Sequence, residues 1–353
     1  MAMQVHGRFS TASATLRLAA LLLLAANAWF LPRAANAQPE PDGSALIRAA
    51  YELTKTASND VEYRKILDLC EQGVKTGVAA NIAAYTNKLK SWAHNRLGQT
   101  ALDEQKWDVA LEHFDTSIAL DSTRWLAFHN RGFYYAREED FQQATTDLRR
   151  AIGLNPRSEK SFVYLGDIHY RQGEFSQAIN QYNEALRINP QNAEVYSQRG
   201  HANFMVGRRA QALRDFNRAL QLNAKDVETY IYRGDLYNEA GHYAEAANDY
   251  RDAFRLDPES DRAFVSAAWM MATCPDERFR SVESALTTAK RALEMQGNEP
   301  HPYRFRYLET LAAAQASAGQ YSQAVEMQAE AVESAPKELL PAMQDRLKLY
   351  QNN

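Results

Sequence analysis

Leu165-Gly166-Asp167-Ile168-His169-Tyr170-Arg171-Gln172-Gly173-Glu174-Phe175-Ser176-Gln177-Ala178 decides the reading of this chain, because its glycine and its last alanine recur elsewhere at one interval. Gly98, Gly132, Gly166, Gly200 and Gly234 stand 34 residues apart, and Ala110, Ala144, Ala178, Ala212 and Ala246 follow each of them by twelve. A fixed period of this length marks one supersecondary unit copied in tandem, which buries its apolar surface against its neighbours. Glycine and proline are sparse, at 15 and 11 of 353 residues, so the copied unit is expected to be helical and the fold all-α.

Large residues fill the rest of the pattern. With the glycine as position 8, the unit from Ser91 carries Leu97, Trp107 and Phe114, and that from Trp125 carries Phe128, Tyr135, Phe141, Ala151 and Pro156. The unit from Glu159 adds Phe162, Leu165, Phe175, Tyr182, Ala185 and Pro190. Those from Ala193 and Val227 give Tyr196, Phe216 and Ala219, then Tyr230, Tyr237, Tyr243, Tyr250, Ala253 and Pro258. Small residues let two helices approach, aromatic residues fill the remaining space, and a proline closes the second helix. This register resembles the tetratricopeptide (TPR) repeat, a 34-residue helix-turn-helix. The resemblance implies a right-handed α-α superhelix with terminal capping helices and, in function, a scaffold that binds proteins or peptides.

The regular units span 81–258. Beyond Pro258 the interval lengthens: Ala246, Ala285 and Ala324 are each 39 residues apart, so 259–336 reads as two variant units with five-residue insertions. One insertion falls at Cys274-Pro275-Asp276-Glu277-Arg278-Phe279-Arg280, the other around Gly297-Asn298-Glu299-Pro300-His301-Pro302. The Trp269 to Asp276 stretch is similar to a lengthened unit of exported bacterial members of the family. Upstream, 45–77 reads as a degenerate hairpin with Ser44 capping its first helix. Downstream, 337–353 reads as an amphipathic capping helix with Leu340, Met343, Leu347 and Tyr350 on one face.

Residues 1–37 have the composition of a cleavable signal. Arg8 and Arg17 precede an apolar run, Leu18 to Leu31, and Ala35-Asn36-Ala37 offers small residues before Gln38. A Pro/Asp/Gly linker at 38–44 follows. The expected location is therefore periplasmic or extracellular, with no membrane span in the mature chain. Loss of Arg8, Arg17 and Arg33 takes the formal charge from −4 to about −7, which disfavours nucleic acid as a partner. Cys70 and Cys274 are two hundred residues apart and are expected to be free thiols.

A second pattern runs inside the first. Position 7, usually leucine in the family, is Leu97, Arg131, Leu165, Arg199 and Arg233, while position 23 is His113, Asp147, Gln181, Asp215 and Asp249. Arginine and aspartate occur together or not at all, which predicts bidentate structural pairs Arg131 with Asp147, Arg199 with Asp215 and Arg233 with Asp249.

In the family the first helix of each unit lines the groove. The residues expected there are Trp92, Asn95, Gln99, His129, Asn130, Phe133, Lys160, Tyr164, Tyr170, His201 and Phe204. Amides can engage a peptide backbone and aromatic rings can bury its side chains. Against the family's carboxylate clamp, Asn95, Gln99, Asn130, Lys160 and Tyr164 occupy the corresponding positions, and of these Asn130 and Lys160 match. No G-x-S-x-G, P-loop, dinucleotide fingerprint, C-x-x-C or H-E-x-x-H occurs, and the histidines are scattered. The expectation is thus a non-catalytic exported scaffold without metal or cofactor. Self-association into an envelope structure is the alternative, and nothing in the sequence singles out a homo-oligomer.

Overall fold

The computed structural model describes residues 42–297, 303–337 and 339–353. The expected signal, most of the linker and the second insertion, at 298–302, lie outside the described residues. Among them the chain forms seventeen α-helices and no strand, in two compact units divided between Pro156 and Arg157.

The first unit contains α1 (Asp42–Thr54), α2 (Asp60–Thr76), α3 (Ala80–Asp103), α4 (Trp107–Leu120), α5 (Trp125–Arg137) and α6 (Phe141–Leu154). Helix α1 begins at Asp42, so the stretch from Asp42 to Ser44, expected as linker, is helical. The Asn59 side chain caps α2 by accepting from the Glu62 amide at 3.1 Å, and the Glu62 carboxylate returns to the Ser58 amide at 2.7 Å. This reciprocal exchange satisfies amides that a helix start leaves open. Helix α3 starts well before Ser91, because the stretch from Ala80 to Lys90 holds no glycine or proline. Its added turns cover Ile47, Tyr63, Ile66 and Cys70 of the first hairpin with Leu89 and Ala93. Both cysteines are buried and free, and burial pushes the Cys70 thiol up to about 12.

The second unit contains α7 (Glu159–Arg171), α8 (Phe175–Ile188), α9 (Ala193–Met205), α10 (Arg209–Leu222), α11 (Val227–Glu239), α12 (Tyr243–Leu256), α13 (Asp261–Thr273), α14 (Val282–Gln296), α15 (Arg304–Ser317), α16 (Tyr321–Ser334) and α17 (Leu340–Gln351). Consecutive helices pair into hairpins, and in α9, α11, α13 and α15 each first helix also touches the next. The loop between α13 and α14 holds the first insertion, where Asp276 accepts from the Arg278 amide at 3.0 Å. Helix α17 buries Met343 and Tyr350, and its Met343 carbonyl accepts from Gln328 Nε2 at 3.0 Å. A terminal helix with one apolar face and a polar exterior closes a stack that would otherwise end on exposed core.

The repeated glycines have one steric cause. A Cβ at Gly98 would lie 2.5 Å from the Phe114 ring, and at Gly166, Gly200 and Gly234 it would lie 2.6 to 2.7 Å from the rings of Tyr182, Phe216 and Tyr250. Position 8 is empty so that the aromatic ring at position 24 can lie against the backbone of the first helix. Each ring so buried contributes about 1.5–3 kcal/mol of transfer free energy. The turns between paired helices use a second residue class. Gly173, Gly207 and Gly241 have φ near +75 to +79°, while Gln105 and Glu139 hold the same left-handed conformation at 59° and 62°.

Candidate functional site

The arginines at position 7 bind the hairpins together. Arg131 Nε donates to Asp147 Oδ2 at 2.7 Å and Nη2 to Oδ1 at 2.9 Å. The same fork joins Arg199 to Asp215 at 3.0 and 2.6 Å, and Arg233 to Asp249 at 2.8 and 2.7 Å. The aspartates are buried, the arginines about one-fifth exposed. Each guanidinium has a third engagement that the sequence reading missed: Nη1 reaches back one hairpin to Asp115, Asn183 or Asn217, at 2.7 to 2.8 Å. The signal was present at position 25, where an acceptor precedes each position-7 arginine and Arg149 and Arg251 precede Leu165 and Ala267. These groups are saturated by one another, so they hold the scaffold and leave the ligand to other residues.

In the first unit most residues expected to face a ligand are spent on packing. Asn130 Nδ2 donates to Asn95 Oδ1 at 3.0 Å, and both side chains are buried between α3 and α5. Asn130 and Asn95, both expected in the peptide groove, are thus paired with each other, and an amide already paired inside the protein gains little by exchanging its partner. Trp92 packs edge-on against Tyr63 with centroids 5.6 Å apart, and Gln99 Oε1 accepts from Arg96 Nη1 at 3.1 Å. His129 is buried 6.1 Å from the Trp125 ring, and Phe133 is half-buried. His94 and His113 bring their Nδ1 atoms to 3.1 Å, and burial, then the charges of His113 and Lys90, against the pull of Glu71, keep His94 neutral down to about 4.

The second unit assembles a continuous polar-aromatic row on its first helices. Tyr170 Oη lies 3.0 Å from His201 Nδ1, His201 stacks on Tyr232 with centroids 3.9 Å apart, and Phe204 lies 6.5 Å from His201. The Arg262 guanidinium covers the other end of the row, 4.6 Å from the Tyr232 centroid, and is paired to Glu228. Tyr307 Oη donates to Asp261 Oδ2 at 2.7 Å and ties α15 to α13. Burial, then the charges of Arg262 and Arg306, push His201 down to about 3, so it is neutral at physiological pH and serves as a hydrogen-bonding ring. All of Tyr170, His201, Phe204 and Tyr232 remain partly exposed. Tyr232 and Arg262 were not singled out by sequence, whereas Glu228 stands at a groove position; Tyr232 occupies position 6, which the groove register does not include.

Two carboxylates sit beside this row. Asp167 Oδ1 accepts from Tyr182 Oη at 2.7 Å and Asp235 Oδ1 from Tyr250 Oη at 2.8 Å. Aspartate at position 9 and tyrosine at position 24 occur together in these two units and in neither of the others with phenylalanine at 24. Burial raises both carboxyls, Asp167 to about 7, with the Tyr182 hydrogen bond opposing the shift and Glu194 adding to it. Lys160 is exposed and Tyr164 half-buried, its phenol pushed up to about 12 by burial. Among the described residues, no cluster of three or more His, Cys, Asp or Glu is arranged to hold a metal ion, and no helix is long and apolar enough to cross a membrane.

Known proteins share the repeat and its helical fold. Models of the tetratricopeptide repeat match residues 127–158 and 198–261, and a TPR repeat model matches 166–207. A small glutamine-rich tetratricopeptide repeat-containing protein of Dictyostelium discoideum is 27% identical over 109 residues, 31% of this chain and 31% of that protein, so the matched stretch spans about a third of the relative. Among solved structures, a tetratricopeptide repeat protein from Parabacteroides merdae superposes with a TM-score of 0.55 at 16% identity, covering 74% of this chain and 98% of that one. The pilF protein of Pseudomonas aeruginosa superposes with a TM-score of 0.53 at 18% identity, covering 63% and 96%. Repeat spacing, the glycine-ring contact, the paired helices and these matches agree: the chain is an all-α tetratricopeptide repeat protein.

Proposed function

We propose that this chain is an exported, non-catalytic scaffold that binds a protein or peptide segment along the first helices of the hairpins in residues 157–353. The observation that carries the reading is the Tyr170–His201–Tyr232 row, a partly exposed strip of rings with hydrogen-bonding atoms, presented by successive copies of one helix. Rings fixed by packing lose little freedom on binding, which lowers the ordering cost of a complex. Export is supported by the composition of residues 1–37, with basic residues before an apolar run and small residues at Ala35 and Ala37.

The test is crosslinking capture with residues 38–353, comparing the natural chain with Tyr170→Ala plus Phe204→Ala, both variants checked for helicity and melting temperature. Loss of captured partners from a folded variant is the expected result; unchanged capture moves the site off this strip. N-terminal sequencing of the chain recovered from envelope and medium fractions tests export, with Gln38 as the expected first residue.

A further inference from the structure

Two histidines meet in the hairpin α3/α4, at columns where the next four units carry none. Position 4 is His94 here and Phe128, Phe162, Tyr196 and Tyr230 there, while position 23 is His113 here and Asp147, Gln181, Asp215 and Asp249 there. Position 7 is Leu97, so no Arg–Asp fork joins these two helices. The histidines stand 19 residues apart in sequence, yet their Nδ1 atoms lie 3.1 Å apart and their ring centroids 5.3 Å. Among the described residues neither ring forms a hydrogen bond except the one between them. That bond needs one ring protonated on Nδ1 and the other on Nε2; with both protons on Nε2, two nitrogen lone pairs stand side by side. Metal–nitrogen bonds of about 2.0–2.1 Å set adjacent imidazole nitrogens about 2.8–3.4 Å apart, so the observed separation suits a single ion. Packing presets it: Gly98, one turn after His94, admits the Phe114 ring, which follows His113, against the α3 backbone. Both histidine rings are partly exposed, which leaves an approach from solvent. Lys90 and Arg64 oppose a cation here, while Glu71, Glu112 and Asp60 favour it. Lys90 is itself 3.7 Å from Glu71, and Asp60 Oδ1 is buried with no hydrogen-bond partner.

We propose that His94 and His113 bind one divalent transition metal ion of the imidazole-preferring class, Cu²⁺, Ni²⁺ or Zn²⁺, through their Nδ1 atoms, with water completing its coordination. The ion takes the place of the missing Arg–Asp fork and ties α3 to α4. Two protein ligands make a site that fills and empties with the metal supply, unlike a closed structural site with four. It lies in the first compact unit, so it stands or falls apart from the strip in residues 157–353.

Calorimetric titration and thermal melting of residues 38–353 near neutral pH test this, with Cu²⁺, Ni²⁺ or Zn²⁺ added to metal-free protein and Mg²⁺ as the hard-cation control. Cu²⁺ is expected to bind most tightly, at one equivalent, and excess Cu²⁺ to raise the melting temperature by several degrees, while Mg²⁺ does neither. His94→Phe and His113→Gln each install a residue that another unit carries at the same position, Gln181 doing so in a unit that also has leucine at position 7, so both variants are expected to fold. Each is expected to lower the Cu²⁺ affinity at least ten-fold and to remove most of the melting shift. His242→Gln, at an exposed histidine of the second unit, is expected to change neither. Absence of binding by all three ions, or binding that survives both His94→Phe and His113→Gln, overturns the inference. A copper electron paramagnetic resonance spectrum of the natural chain with fewer than two nitrogen ligands overturns it without recourse to any variant.

Discussion

The hairpins α9/α10 and α11/α12 and the hairpins α13/α14 and α15/α16 close the same fold with different chemistry. In the first pair, glycine admits an aromatic ring and a forked Arg–Asp pair bridges the two helices, with a third hydrogen bond reaching the preceding hairpin. In the second pair position 7 is Ala267 in α13 and Leu311 in α15, and the interface is a field of buried alanines, with Ala268, Ala272, Ala285 and Ala289 clustered with Leu311, Ala313 and Ala314. Directional charge sets the spacing of the regular hairpins, while methyl-on-methyl contact brings α13 and α15 close enough for Tyr307 to hydrogen-bond Asp261. The aromatic strip lies on the regular side.

The comparison can be broken most directly at a staple. Asp249→Ala strands the Arg233 guanidinium beside a buried site and is expected to cost about 3 kcal/mol in urea unfolding. Arg233→Leu plus Asp249→Leu is expected to cost less than Asp249→Ala alone, since an apolar pair leaves no buried charge; a double variant worse than the single would mean that the pair adds net stability. On the alanine side, Ala268→Leu overpacks a site of 0% exposure and is expected to cost about 1–3 kcal/mol, read as a lower melting temperature. A neutral result would show that the variant hairpins have slack.

Asp167 gives the regular side a pH dependence. Its unfolded carboxyl titrates near 4, its folded one near 7, so between these values the folded state holds a proton that the unfolded state has released. Stability is therefore expected to fall as pH rises from about 4 to about 7, with the full cost remaining above that, on the order of 1–2 kcal/mol after allowance for partial exposure. Asp167→Asn should flatten this slope and be the more stable chain at pH 8; parallel curves would remove Asp167 as the cause. The smallest effect concerns a regular turn. Glu139 holds φ of 62° where the hairpins α7/α8, α9/α10 and α11/α12 use glycine, so Glu139→Gly is expected to stabilise by about 0.5–1 kcal/mol, the relief of backbone strain exceeding the cost of a freer unfolded chain.

Much of the fold could be read from the chain because the repeat writes its sterics five times over. A glycine at position 8 facing a ring, or in one unit Leu148, at position 24, and an arginine at 7 changing together with an aspartate at 23, are visible as columns. The helix before Ser91 was not, since an unbroken helix differs from a helix preceded by a loop only in lacking breakers. The site was less legible still. Position alone cannot tell a free amide from one paired across helices, which is why Asn95 and Asn130 read as ligand-facing and are buried against each other. Tyr232 and Arg262 join the strip through side-chain reach and stacking, which register does not encode.

The claim that the strip is the partner surface is tested most directly by photocrosslinking from two places on one hairpin. A photoreactive phenylalanine analogue at Phe204, on the strip, is compared with the same analogue at Arg214, exposed on the paired helix α10. The account predicts crosslinks to a different protein from position 204 and none from position 214. Equal yields from both, or crosslinks from 204 only to a second copy of this chain, would contradict it.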